Sequence, residues 1–68
     1  MAVGVSTATD LRERRERLGL SQRRLASFAG CSISTLRLVE HGWRPAQSDV
    51  VERIERVLTE YEAIRSKA

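Results

Sequence analysis

Eleven of the twelve basic residues in this chain are arginine, Lys67 being the exception. A guanidinium is a planar fork of donors that suits bidentate recognition of phosphates and guanine edges. A genome-wide arginine bias gives the same composition, so composition alone does not choose. Position says more. Residues 1–47 carry eight basic and four acidic groups, a net of +4, and residues 48–68 carry four and five, a net of −1. That asymmetry points to an anionic partner for the first two-thirds of the chain.

Other chemistries lack their parts. A single cysteine, Cys31, excludes an internal disulfide and a multi-cysteine zinc site, and is read as a small packing residue. The single histidine, His41, has no carboxylate or cysteine at ligand or triad spacing, and no phosphate-binding loop is present. No catalytic residue, metal, cofactor or small-molecule ligand is therefore expected, and the chain is not read as an enzyme. No apolar run approaches a membrane span, and the first residues lack the charge and length of a signal peptide. A cytoplasmic protein is the default expectation.

At 68 residues the chain has room for one small domain, marginal unless well packed or oligomeric. Gly19, Gly30, Gly42 and Pro45 cut it into helix-sized pieces. Residues 1–8 read as a flexible arm. A first helix is expected from about Asp10 to Leu18, with Asp10 as N-cap and Glu13 completing a capping box. Ser21 caps a second helix that ends near Ala29. Ser32 caps a third that runs to Glu40 or His41. Two short helices joined by a glycine turn make the helix-turn-helix pattern. A fourth helix starts at Ser48 or Asp49 and has no Gly or Pro to stop it, so residues 59–68 extend it. Its apolar positions Val50, Ile54, Val57, Tyr61, Ile64 and Ala68 form a short heptad seam. The first part must cover the core, which leaves Tyr61 and Ile64 as candidate contacts with a second copy.

The third helix has two faces. At about 100° per residue, Leu36 and Val39 fall on one side with Thr35 at their edge. Ile33, Ser34, Arg37, Leu38 and His41 fall on the other. That second face mixes a cation, a hydroxyl, an imidazole and aliphatic groups, the mixture a DNA major groove accepts. A surface helix with two stray apolar groups, or a protein contact, reads equally well from the helix alone. Arg23 and Arg24 in the first turn of the second helix sit where the helix dipole disfavours cations, and an external phosphate would relieve that.

The stretch Gln22-Arg-Arg-Leu25-Ala26-Ser-Phe-Ala29-Gly30-Cys-Ser32-Ile-Ser34-Thr35-Leu36-Arg-Leu-Val39-Glu40-His-Gly42 resembles the helix-turn-helix of lambda-repressor/Cro-like, or Xre-type, transcription regulators. The likeness extends over about residues 10–58, with Leu11-Arg12 and Arg15 before the motif, Gly19-Leu20-Ser21 leading in and Pro45 after it. It implies an all-α, four-helix domain with helices 2 and 3 as the helix-turn-helix. It implies sequence-specific binding of double-stranded DNA by a small Cro-like repressor that acts by occupying an operator, possible homodimerisation included. Carried over by position, Ile33, Ser34, Arg37 and Leu38 match base-reading residues. Gln22, Thr35, His41 and Arg44 match residues on the DNA backbone, Gln22 also propping the reading side chains, and Arg23 and Arg24 add phosphate contacts. Arg15 and Glu40 match a pair joining the first helix to the recognition helix.

The chain departs from that family in four places. Arginines stand at 23 and 24 where acidic residues are common. Phe28 takes a polar position, which calls for an unusual neighbour such as the N-terminal arm. One residue is inserted after Pro45, and the fourth helix runs on where a glycine break is usual. Trp43, the only tryptophan, is expected to pack over the loop before the last helix. An antitoxin or co-regulator that holds a protein partner is the alternative, using Phe28, Trp43 and the Tyr61/Ile64 seam.

Overall fold

The computed structural model describes residues 8–67. It holds four helices, α1 (Ala8–Arg17), α2 (Gln22–Ala29), α3 (Ile33–Glu40) and α4 (Val50–Lys67). Residues 1–7 of the expected arm lie outside the described residues, and Ala8 is already helical. The first helix thus starts earlier than the sequence suggests. Asp10 lies inside its first turn, so it is not the N-cap expected for a capping box with Glu13. Its carboxylate still sits near the positive end of the helix dipole, which favours an acid there.

The ends of the middle helices are set by local chemistry. Ser21 accepts the Arg24 N–H at 3.0 Å, and Ser32 accepts the Thr35 N–H at 3.0 Å. Each hydroxyl satisfies a donor that the helix leaves unpaired. At the other end of α2, Gly30 adopts φ 75°. Its N–H bonds Ser27 O at 3.2 Å, and the Cys31 N–H bonds Ala26 O at 2.9 Å. This is the paired closure of a left-handed helix terminus. A Cβ on Gly30 would meet nothing within 4 Å, so the backbone angle, not space, requires glycine. The same two bonds close α1 at Gly19 and Leu20 and α3 at Gly42 and Trp43. Three glycines thus end three helices in the same way, and the chain turns between them within a few residues.

The helices form a thin disc, 36 × 33 × 17 Å between Cα extremes. α2 packs against α3 and α4, and α1 against α3 and α4. Leu25, Leu36, Val39, Ile54 and Leu58 are fully buried at the centre. Ala26 and Ala29, also buried, keep the α2 surface shallow where its neighbours cross. Among the described residues no helix is long and apolar enough to cross a membrane.

Past Leu58, α4 continues without a break to Lys67. It stays attached to its own chain. Tyr61 stacks on Phe28, with ring centroids 5.7 Å apart. Arg14 donates twice to Glu62, at 2.9 Å each, and once to Thr59 at 3.3 Å. Arg65 donates to the carbonyl of Arg17. The neighbour that Phe28 needs is therefore Tyr61, not the N-terminal arm. Val57 and Tyr61 pack partly against the core, so these two heptad positions turn inward. Of the two seam residues singled out above, Tyr61 has an intramolecular partner, and Ile64 stays 67% exposed.

Candidate nucleic-acid interface

The exposed side of α3 is built from its buried side outward. Leu36 and Val39 reach zero exposure and fix the helix rotation. Ser34, Arg37, Leu38 and His41 then emerge into solvent. Ile33 is half-buried and packs against the core cluster, so it offers only part of its surface. Thr35 is half-buried at the edge, and its hydroxyl accepts from Ser32 at 2.9 Å. The face combines one cation, a hydroxyl, an imidazole and Leu38, which is 52% exposed.

A hydrogen-bonded chain ties this face to the interior. Arg15 on α1 and Glu40 on α3 are 9% and 8% exposed. Arg15 Nε donates to Glu40 Oε2 at 2.6 Å and Nη2 to Oε1 at 3.3 Å. Its Nη1 donates to Leu20 O at 2.9 Å. One guanidinium thereby binds α3 to the end of α1 through the fork geometry that arginine favours. Glu40 Oε1 also accepts from Gln22 Nε2 at 3.1 Å. Gln22 Oε1 in turn accepts from Arg37 Nε at 3.3 Å. The amide can serve both neighbours in only one orientation, its NH₂ on the carboxylate and its oxygen on the guanidinium. Arg37 is held at Nε, and its terminal nitrogens remain free for an outside acceptor. No buried side-chain polar atom among the described residues lacks a partner.

The remaining cations divide by what they touch. Arg23 and Arg24 are exposed at the start of α2, with no carboxylate within ion-pair distance among the described residues. Arg44 turns back on its own chain instead. Its Nη1 donates at 2.9 Å to Val39 O and at 2.9 Å to Trp43 O, which satisfies a carbonyl at the negative end of α3. Trp43, just past the end of α3, keeps 45% of its surface exposed.

Two structural roles escape a linear reading. Arg53 on α4 donates to Ala29 O at 2.8 Å and Gly30 O at 3.5 Å. It caps α2 from another element, at the turn between α2 and α3, while also pairing with Asp49. The spacing of Asp49 and Arg53 signals their local pair, but nothing local signals the carbonyls. Next to that turn, burial pushes the Cys31 thiol up, with the Arg53 charge pulling the other way. A thiol kept protonated is a weak nucleophile, in keeping with a packing residue.

A family model described as a helix-turn-helix domain matches residues 8–60. No curated protein and no solved structure gives a significant match to the chain.

Proposed function

The chain belongs to that helix-turn-helix family, which lies in the Xre/Cro-like group, and from this premise we propose that it is a sequence-specific, double-stranded-DNA-binding repressor of the small Cro-like kind. A helix-turn-helix domain suggests DNA binding and transcription regulation. The observation that carries the finer reading is the run from Arg15 through Glu40 and Gln22 to Arg37. A buried pair anchors an exposed arginine whose terminal nitrogens are free.

In this reading α3 enters the major groove. The two terminal nitrogens of Arg37 address the O6 and N7 acceptors of a guanine, and Gln22 keeps them in position. Ser34, Leu38 and the exposed part of Ile33 complete the base contacts. Arg23, Arg24, His41, Thr35 and Gln22 face the sugar–phosphate backbone, which fixes register without reading sequence. Arg44, exposed, joins them with its remaining nitrogens while its Nη1 holds the end of α3. Regulation is by occupancy, in the cytoplasm of a prokaryotic cell: the bound protein covers an operator and excludes polymerase. No cofactor takes part.

Selection of bound sequences from a random duplex pool, at moderate salt, tests this. A single enriched motif containing a guanine supports a specific DNA-binding module. Two inverted copies about 34 Å apart support a homodimer, with Ile64 the exposed apolar group that α4 offers to a second copy. A pool with no enriched motif overturns the reading and favours a protein partner. Phe28, 52% exposed, and Ile64 would then be the first residues to test.

A further inference from the structure

Where the last turns of α1 and α4 meet there is an open cleft of about 430 Å³, lined by Arg17, Leu18, Glu62, Arg65 and Ser66. Its volume falls within the range of small-molecule sites. Glu62, Arg65 and Ser66 lie past residue 60, where the family match ends. The continuation of α4 thus supplies one wall, and none of the lining residues is among those assigned to DNA.

The charges in the cleft do not balance. Its one carboxylate, Glu62, is already engaged by Arg14, which donates to both oxygens at 2.9 Å. The hydrogen bond from Arg14 is the largest influence that holds Glu62 below its ordinary value, and the charge of Arg17 adds to it. The Arg17 guanidinium is therefore within electrostatic reach of that acid. It makes no hydrogen bond or ion pair of its own among the described residues. Arg65 gives Nη1 to the Arg17 carbonyl and keeps its other nitrogens. Two cations thus share the cleft without an acid to match them. The carbonyl end of α1 would repel an anion, but its carbonyls are occupied. Arg14 O and Arg15 O accept from the Leu18 N–H at 3.2 Å, Glu16 O accepts from the Gly19 N–H at 3.0 Å, and Arg17 O accepts from Arg65. Leu18, half-buried and packed against the core, adds an apolar surface.

We propose that this cleft binds a small organic anion, a carboxylate on a compact apolar body. The carboxylate lies between Arg17 and the free nitrogens of Arg65, whose planar forks suit it, and the apolar body lies on Leu18. A ligand that touches both helices fastens the extension of α4 to α1.

Benzoate is the probe, titrated into the full chain at low ionic strength and followed by ¹H–¹⁵N NMR. Saturable shifts are expected at the amides of Arg17, Leu18, Arg65 and Ser66, with a midpoint of about 1 mM, the scale of a weak ligand this small. The amides of α3 should stay still. Benzyl alcohol keeps the ring without the charge, and acetate keeps the charge without the ring. Each should bind roughly tenfold more weakly or worse. Arg17→Gln should weaken benzoate about tenfold and leave Tm unchanged, because that side chain has no partner to lose. Saturating benzoate should also slow amide exchange over residues 61–67, as a ligand of the closed cleft must. Absence of saturable shifts, equal binding of either control, or unchanged benzoate affinity in Arg17→Gln overturns the proposal. The DNA-binding reading stands or falls separately, on the duplex selection.

Discussion

Arg14 and Arg15 are adjacent in the chain and brace different helices. Arg15 joins α1 to α3 through Glu40, whose side chain is 4% exposed. Arg14 joins α1 to α4 through Glu62, whose side chain is 39% exposed. Both make two hydrogen bonds to one carboxylate. The difference is solvent. In the first pair neither charge can return to water if its partner is lost. In the second, the carboxylate is already partly hydrated. The same residue type with the same ligand thus acts as a keystone in one place and a tether in the other. The family match ends at residue 60, so the keystone lies within the matched region, and the tether holds helix beyond it.

The largest expected effect is that of Arg15→Ala. It would strand the Glu40 carboxylate with only the Gln22 amide, and breaking one side of a buried pair costs about 3–5 kcal/mol. For a domain of this size each kcal/mol moves Tm by roughly 4–8 °C. Thermal circular dichroism should therefore show a drop well above 10 °C. An unchanged Tm would mean that the pair is solvated and the contrast with Arg14 false.

Arg37 lies at the far end of the same chain of hydrogen bonds and should behave oppositely. It is exposed, so Arg37→Ala should leave Tm nearly unchanged. Binding to the selected operator should weaken by about 1–3 kcal/mol, with lost preference at one base pair. Gln22→Leu, which keeps the charge of Arg37 but removes its support, should blur the same position while sparing the salt slope. A base preference unchanged from that of the parent protein in both variants would remove Arg37 from the reading set and cut the keystone off from recognition.

The sequence already shows the parts of this arrangement that depend on near neighbours. Ser21 and Ser32 cap the helices they precede, and the glycines end helices at 19, 30 and 42, because each signal acts within four residues. The exposed face of α3 follows from its helical period once Leu36 and Val39 turn inward. The parts that depend on reach are not legible. Arg14, Arg44, Arg53 and Arg65 are long side chains with many donors, and apart from the Asp49–Arg53 pair they end on carbonyls or carboxylates that no spacing rule identifies. Phe28 shows the same limit: its exposed position calls for a neighbour, but only the course of α4 brings Tyr61 to it. The start of α1 at Ala8 is not legible either, because an Asp such as Asp10 suits both the cap and the first turn. The DNA-contacting roles rest on the placement of these side chains and on the family's position-by-position likeness.

On the tether side, Arg14→Ala should cost on the order of 1 kcal/mol, because the Glu62 it leaves behind is partly hydrated already. The loss should be local. Amide exchange should speed up over residues 59–67 while the amides of α2 and α3 keep their protection. A global loss as large as that of Arg15→Ala would erase the distinction between keystone and tether.

Acid gives the smallest effect and isolates the tether without touching the core. The hydrogen bond from Arg14 is the main reason that Glu62 lies below its ordinary value of 4.5, with the charge of Arg14 assisting and burial opposing. A carboxylate whose folded pKa is depressed contributes its full share above the ordinary value and loses it as pH falls through the lower folded value. The tether should therefore be constant from neutral pH down to about 5 and should loosen below 4.5. Ring-proton shifts of Tyr61, one residue from Glu62 and stacked on Phe28, should follow that titration by NMR. In Glu62→Gln the donor and acceptor geometry is nearly kept, but no proton is taken up, so the Tyr61 shifts should stay flat over the same range. Equal titration in both proteins would place the acid-sensitive group elsewhere on α4 and remove Glu62 as the residue that holds the extension to α1.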